Sequence, residues 1–374
     1  MGLRANALSR LQITAAPESI VDRFESVIIV PGQAHEDLWV HPELLTSRPG
    51  NPPRIELRAV STDRYGRDKH SLWHYYQTDD LFETLTPLQE PREPNGRPDH
   101  SVWQRKGLHA NDLLPAPPSL ISPPSALYHT WSTASLEIDP DTIVQAFTTS
   151  PEPVATCGKD GFIRGHYHVQ TLIARRHGSR FLLEHISNHH TVASRRGLYE
   201  PHLAQCQGRL FMTARAEDGH GYILVSEDGG RFWEPPRPWC WDDGSPIAMD
   251  QTMTKLLAHS DGLALVYTRI REDNAHVMRH RAPLHCADVD LRTLRLCRAT
   301  ERIIIPDHSV SPGLGSLPMG NFWVWPITPF ESYITVAEWP RDGQARNGDI
   351  WLTKVYWKRP NRMIAADGRE FPLV

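Results

Sequence analysis

An all-β fold is what this sequence predicts, on three observations. Short apolar, aromatic and β-branched runs bounded by Gly, Pro, Asp and Asn recur along the chain, whereas apolar spacing of helical period is scarce. Thirty-two prolines are spread over 374 residues. A proline inside a helix removes a backbone donor and clashes with the turn before it, so few helices of ordinary length fit between them. The runs also fall into a repeating order: a short strand, a turn with Gly or Asp-Gly, a second strand, a wider loop, then a third strand that runs into a polar turn.

Ten runs are expected as strands: residues 26–30, 55–60, 71–76, 142–148, 169–174, 180–185, 209–214, 222–226, 263–268 and 333–338. The clearest polar turn follows Gly221–Val225 and reads Ser226-Glu-Asp228-Gly-Gly230-Arg-Phe-Trp233. There the Asp228 carboxylate and Ser226 hydroxyl can satisfy turn amides, glycine supplies positive φ, and the tryptophan packs beneath. Residues 77–82 look like a degraded copy without the glycine and tryptophan. Repeats of this size cannot bury their faces alone; they must stack, and a closed ring of stacked sheets leaves only short edges. The expectation is therefore a β-propeller of about six blades, with five or seven as alternatives. The runs 26–30 and 349–357 are both strong strands near the two ends, so one blade should be built from both. All-β rings exceed the mean domain length as single units, so residues 1–374 are expected to form one domain. The proline-rich segment 87–124 reads as an ordered loop inserted over one face.

Composition excludes several roles. A formal net charge of −4 gives no basic field for nucleic acid. No apolar run reaches the length of a membrane span, and the first ten residues carry no sustained apolar core, so a cytoplasmic address without membrane association is expected. Five cysteines, at 157, 206, 240, 286 and 297, have neither CxxC nor Cys/His ligand spacing, which predicts reduced and mostly buried thiols. No metal-ligand spacing or cofactor motif is present, so neither a metal nor a cofactor is expected. Oligomeric state is not readable.

Chemistry is expected in three stretches. The first carries His168, His189 and His190 among twenty histidines. Two neighbouring strands would each deliver an imidazole at a strand end, where it works as acid or base near neutrality; the alternative is a pair of histidines capping loops. The second runs from Tyr199 and Glu200 to Arg215 and Asp218. Antiparallel pairing would bring Tyr199, Glu200 and Arg215 to one rim, where the guanidinium fork suits a carboxylate. Strand alternation nonetheless turns the neighbours Tyr199 and Glu200 to opposite faces, and an Arg215–Asp218 surface bridge competes with the functional reading. The third stretch holds Arg269, Asn274, His276 and Arg279 in a polar loop, with Asn321 beyond it. With Gln251, Asp218 and His190, these are candidate contacts to sugar hydroxyls or an acid group. Trp323 and Trp325 are read as blade core in preference to a stacking floor. Glu200, Asp218, Asp250 and Glu338 are the carboxylates from which a hydrolytic pair would come.

From about Tyr199 to Glu338 the chain resembles the sialidase-like superfamily of Asp-box propellers. The residues that carry this are Tyr199, Glu200-Pro-His202, the Asp-box pattern 226–233, residues 259–263, Tyr267-Thr-Arg269, Asn274, His276, residues 281–284 and Gly320-Asn-Phe322. The resemblance implies a glycoside hydrolase with Tyr199, Arg215, Glu200, His168 and His189 at its centre and a carbohydrate substrate. True sialidases carry an Arg-Ile-Pro motif that this chain lacks. A second resemblance is to propeller uronate lyases and rhamnosyl-glucuronate hydrolases: two histidines, a tyrosine and an arginine occur in that order at His168, His189, Tyr199 and Arg215. It implies elimination, with Arg215 neutralising a uronate and Tyr199 or a histidine moving protons. A non-catalytic carbohydrate binder is the third reading, because the fold hosts many binders.

Overall fold

The computed structural model describes residues 3–4, 10–30, 38–48, 54–63, 71–78, 84–88, 128–150, 166–178, 180–308, 317–338 and 349–364. The expected proline-rich loop, the degraded polar turn beyond residue 78 and Cys157 lie outside the described residues. All ten expected runs fall in strands, and the named strands pair antiparallel.

The chain divides into two compact units, Met1–Arg105 with Thr268–Ala287 and Ala299–Glu370, and Lys106–Tyr267 with Asp288–Arg298 and Phe371–Val374. In the first unit, one five-stranded sheet runs in the order Leu3–Arg4, Thr84–Leu88, Ser71–Thr78, Arg54–Asp63, Leu38–Arg48. A second runs Arg10–Thr14, Val21–Val30, Ile350–Trp357, Glu331–Glu338, Met319–Thr328. Its middle joins strands from both ends of the chain, Val30 opposite Ile350 and Val21 opposite Trp357. Phe24, Val27, Leu352, Val355, Tyr333 and Ile334 are buried, some on each face of that sheet. Ser26 ties it together, donating to Ile304 O at 2.6 Å beside the Thr353 hydroxyl at 2.7 Å.

In the second unit, a four-stranded sheet runs Arg180–Ile186, His168–His177, Thr142–Ser150, Tyr128–Asp139, and another runs Tyr199–Cys206, Arg209–Arg215, Gly221–Ser226, Arg237–Pro238. Val144, Val169, Leu203, Leu210, Met212 and Trp233 share one apolar cluster. The polar turn after Gly221–Ser226 is built from its own side chains. Asp228 Oδ1 accepts from the Ser226 hydroxyl at 2.8 Å and from the Arg231 and Phe232 amides at 3.1 and 2.9 Å, while Gly230 N donates to Ser226 Oγ at 2.8 Å. Gly230 has φ +89° and a Cβ there would lie 3.1 Å from a Val144 methyl, so both conformation and space call for glycine. Trp233 is wholly buried, its Nε1–H on Thr171 Oγ1 at 2.9 Å. The same indole-to-hydroxyl bond recurs between Trp239 and Thr213 at 3.1 Å, and between Trp357 and Ser332 in the first unit at 3.1 Å. Cys206 and Cys286 are buried and Cys240 and Cys297 partly buried, none of them in a disulfide.

Candidate functional site

The hairpin Tyr199–Cys206 and Arg209–Arg215 turns through Gln207 and Gly208, both at positive φ (50° and 74°), as a two-residue loop whose twist suits the strands requires. That turn sets the register, placing Tyr199 opposite Arg215. Regular alternation would now send Glu200 to the other face, and the structure corrects this expectation. Glu200 has φ +51°, and the register slips between Tyr199 and His202. This local bulge aims both neighbours at one guanidinium. Arg215 Nη2 donates to Glu200 Oε1 at 2.5 Å and Nη1 donates to Gln251 O at 2.8 Å. The Arg215 guanidinium also lies 4.5 Å from the Tyr199 ring centre. Tyr199 is fully buried, with its hydroxyl 3.5 Å from Gln251 Oε1. Glu200 N is held by Thr148 Oγ1 at 3.0 Å, which anchors the bulge to the neighbouring sheet.

Three residues that the sequence reading passed over belong to this group. Arg196 places its guanidinium 5.5 Å from the Tyr199 ring centre and pairs with Glu217 at 3.2 Å. Burial raises the Tyr199 pKa above its ordinary value; Arg215 and Arg196 oppose that rise without cancelling it. Lys255, wholly buried at the start of Lys255–His259, is the third. Burial brings its ammonium down to about 8, against the support of the Glu200 carboxylate and with the help of Arg215. Arg196 and Glu217 sit in loops without motif spacing, and Lys255 sits in an apolar run. A charged residue inside a strand-like run was the one signal for Lys255.

The histidines gather separately. His168 begins its strand opposite Thr149, and its ring centre lies 4.9 Å from that of His189 and 5.5 Å from that of His166. Burial, then the two neighbouring imidazoles, lowers His168 to about 4, so it is neutral at pH 7. Its Nδ1 is buried without a hydrogen-bond partner. His190 instead anchors the loop, its Nε2 2.8 Å from Trp233 O and 2.9 Å from Asn188 Nδ2.

No protein-family model matches this chain, and no curated protein matches it. Solved structures do. One is a protein of unknown function from Dyadobacter fermentans, 11% identical, covering 88% of this chain and 98% of that one at a TM-score of 0.47. A second is the Trypanosoma rangeli sialidase, 11% identical, covering 94% of this chain at a TM-score of 0.41; the match spans 58% of the sialidase's length. A third is a glycosyl hydrolase from Bacteroides ovatus, 12% identical over 93% of this chain and 92% of that one at a TM-score of 0.38.

The remaining candidates are engaged elsewhere. Asp218 accepts from the Tyr222 hydroxyl at 2.5 Å and the His220 amide at 3.2 Å, so the Arg215–Asp218 bridge weighed from the sequence gives way to Arg215–Glu200. Asp250 accepts from the Gln251 amide at 2.7 Å. In the first unit the polar loop contains two short 3₁₀ turns, Glu272–Asn274 and Met278–His280. Arg269 forms a two-point fork with Glu301 at 2.8 and 2.9 Å. Buried Asn274 holds the loop, accepting from Arg271 N and donating to Arg269 O and Ala282 O. His276 pairs with Asp307 at 3.1 Å, Arg279 adopts φ 52°, and Asn321 Oδ1 lies 3.4 Å from Arg281 Nη1. Trp323 and Trp325 are half-buried, ring centres 6.3 Å apart. Among the described residues no group of three or more His, Cys, Asp or Glu converges as metal ligands, and no helix is long and apolar enough to cross a membrane.

Proposed function

We propose that this protein is a carbohydrate-active enzyme, a glycoside hydrolase of the sialidase-like kind acting on an acidic sugar, with Tyr199, Glu200 and Arg215 at its reacting centre. The observation that carries the reading is the left-handed backbone at Glu200, which turns adjacent Tyr199 and Glu200 onto the same guanidinium. Backbone strain of this kind persists only where surrounding structure enforces it, and it concentrates at sites of function. Arg215 uses one nitrogen on Glu200 and one on Gln251 O, leaving its Nε and Glu200 Oε2 buried without partners. A substrate carboxylate competing for the guanidinium would release Glu200 from it. Freed, Glu200 takes the Tyr199 hydroxyl proton as Tyr199 Oη bonds to the anomeric carbon and the glycosidic C–O bond breaks, its electron pair leaving on the aglycone oxygen, which takes a proton from water. The hydroxide then displaces Tyr199, whose oxygen recovers its proton from Glu200. Arg196 adds a second positive charge beside the ring. Tyrosine is a poor nucleophile while burial holds its pKa up, so this coupling makes its activation depend on an acidic ligand. One propeller built from the antiparallel sheets, in the cytoplasm, is the setting we propose.

The second reading is elimination from a uronate, and neutral His168 with its unpartnered Nδ1 favours it, because such an imidazole is ready to accept a proton. Incubation with 4-methylumbelliferyl glycosides of acidic sugars and with unsubstituted uronate oligosaccharides separates the two. Hydrolysis releases the fluorophore and reducing ends, with a loss on the order of 10²-fold or more in Tyr199→Phe. Absorbance from a new C=C bond, lost in His168→Gln, would instead support elimination. Unchanged turnover in both variants would sink the placement of the site.

A further inference from the structure

A group of side chains in the first unit plays no part in that reading. Glu338 ends the strand Glu331–Glu338, opposite Met319 at the start of its neighbour, and its side chain is completely buried. Its Oε1 lies 2.5 Å from Nδ1 of His308, and its Oε2 accepts the Asp349 amide at 3.1 Å. A buried carboxylate facing one ring nitrogen demands a proton there, which leaves the lone pair of neutral imidazole on Nε2. His308 keeps 25% of its side chain exposed, so it is reachable from solvent while its partner is not. The peptide leading into it is pinned one residue earlier, where Asp307 meets His276 at 3.1 Å. The imidazole packs on Trp351, ring centres 5.0 Å apart at 44°. Trp351 is 4% exposed, and its Nε1–H makes no hydrogen bond. A buried donor left open beside a carboxylate-oriented base is an unusual pairing, since buried polar groups are nearly always satisfied.

We propose that His308 is a general base held in its reactive tautomer by Glu338, at a site that takes an acyl ester. Nε2 accepts a proton from water as the water oxygen bonds to the ester carbonyl carbon, and the carbonyl electron pair moves onto its oxygen. Collapse of that adduct breaks the carbon–oxygen bond to the leaving alcohol, which recovers the proton from Nε2–H. The net change is ester and water to acid and alcohol. Glu338 acts as a positioning residue through the imidazole.

The full chain is incubated with 4-nitrophenyl acetate at pH 7, against free imidazole at equal concentration. Faster release of nitrophenolate than from imidazole is expected, with a drop on the order of 10²-fold in His308→Gln. A comparable drop is expected in Glu338→Gln, with partial recovery in Glu338→Asp. Nitrogen-15 NMR of the wild-type protein reads the tautomer directly, whether or not the Glu338 variants fold; a protonated Nδ1 and bare Nε2 are expected for neutral His308. A wild-type rate no greater than imidazole, an unchanged rate in His308→Gln, or a proton on Nε2 would each overturn the proposal.

Discussion

Arg215 and Glu200 have side chains only 9% and 15% exposed, so removing one partner strands the other charge in a poorly solvated place. Arg215→Ala should cost about 3 kcal/mol of stability, whereas replacing both by apolar residues of similar volume should recover most of that loss. Urea denaturation of the two singles and the double reads this, and additive losses would contradict it. Lys255 makes the opposite kind of contribution. Its folded pKa of about 8 is below the ordinary lysine value, so the unfolded chain binds the extra proton between about pH 8 and 10.5. By linkage, its penalty is complete below pH 8 and is relieved as pH rises through that window. Lys255→Met should therefore stabilise the protein by roughly 1–3 kcal/mol at pH 7 and flatten the rise in stability above pH 8. Thermal melts across pH 7–10 that are parallel for the two proteins would refute this account.

Hairpins and turns account for how much could be read in advance. Residues 209–214 and 222–226 were recognisable as strands because they are short, nearly continuous apolar runs bounded by turn residues, and pairing 209–215 with the strand that begins at Tyr199 placed Tyr199 across from Arg215. Polar turn 226–233 was legible because its amide acceptors are written into Ser226 and Asp228. Opaque positions were those where a residue departs from its usual conformation. Nothing in a glutamate announces φ +51°, so the bulge that unites Tyr199 with Glu200 could not be inferred, nor could the approach of Arg196 and Glu217 from the segments flanking the hairpin and of Lys255 from a more distant strand. Gln207 shows the same mismatch in a simpler place: it is exposed, at φ 50°, in a loop where asparagine is favoured. Gln207→Asn should raise stability by ~0.5–1 kcal/mol without altering the hairpin, measurable by chemical denaturation. Asp228 tests the other turn. Burial opposes its charge, yet the Phe232 amide, the Ser226 hydroxyl and the Arg231 amide outweigh it and hold the carboxyl below its ordinary value. Because that pKa is depressed on folding, its stabilisation is present above the unfolded value and fades as pH falls through the folded one. Asp228→Ala should lose about 1–2 kcal/mol at pH 7 and show a smaller acid-side decline than the wild type.

At the scale of the whole chain, the decisive joint is the sheet to which both ends contribute. Val21–Val30 runs beside Ile350–Trp357 from Val30–Ile350 to Val21–Trp357, and Arg10–Thr14 covers its outer edge. Removing residues 1–30 would leave Ile350–Trp357 with a row of unpaired backbone groups and expose the apolar side chains of Leu352, Val355 and Trp351 that now lie buried. An unprotected edge of that kind invites pairing with other chains. The lost burial of Phe24, Val27 and Ile29 alone would amount to several kcal/mol at about 25 cal/mol per Å², comparable with the whole stability of an ordinary domain. The truncated protein, residues 31–374, should therefore aggregate or melt at least about 10 °C below the full chain. A shorter cut that removes only residues 1–9 spares every pairing in that sheet, giving up only the two-residue edge strand Leu3–Arg4 of the other, and should lower melting far less than the longer cut. Size-exclusion chromatography and thermal denaturation of the two truncations separate the outcomes. A truncation to residue 31 that stays monomeric and melts with the full chain would mean that the shared sheet does not hold the ends in place, and with it would fall the proposal of a ring closed by a joint blade.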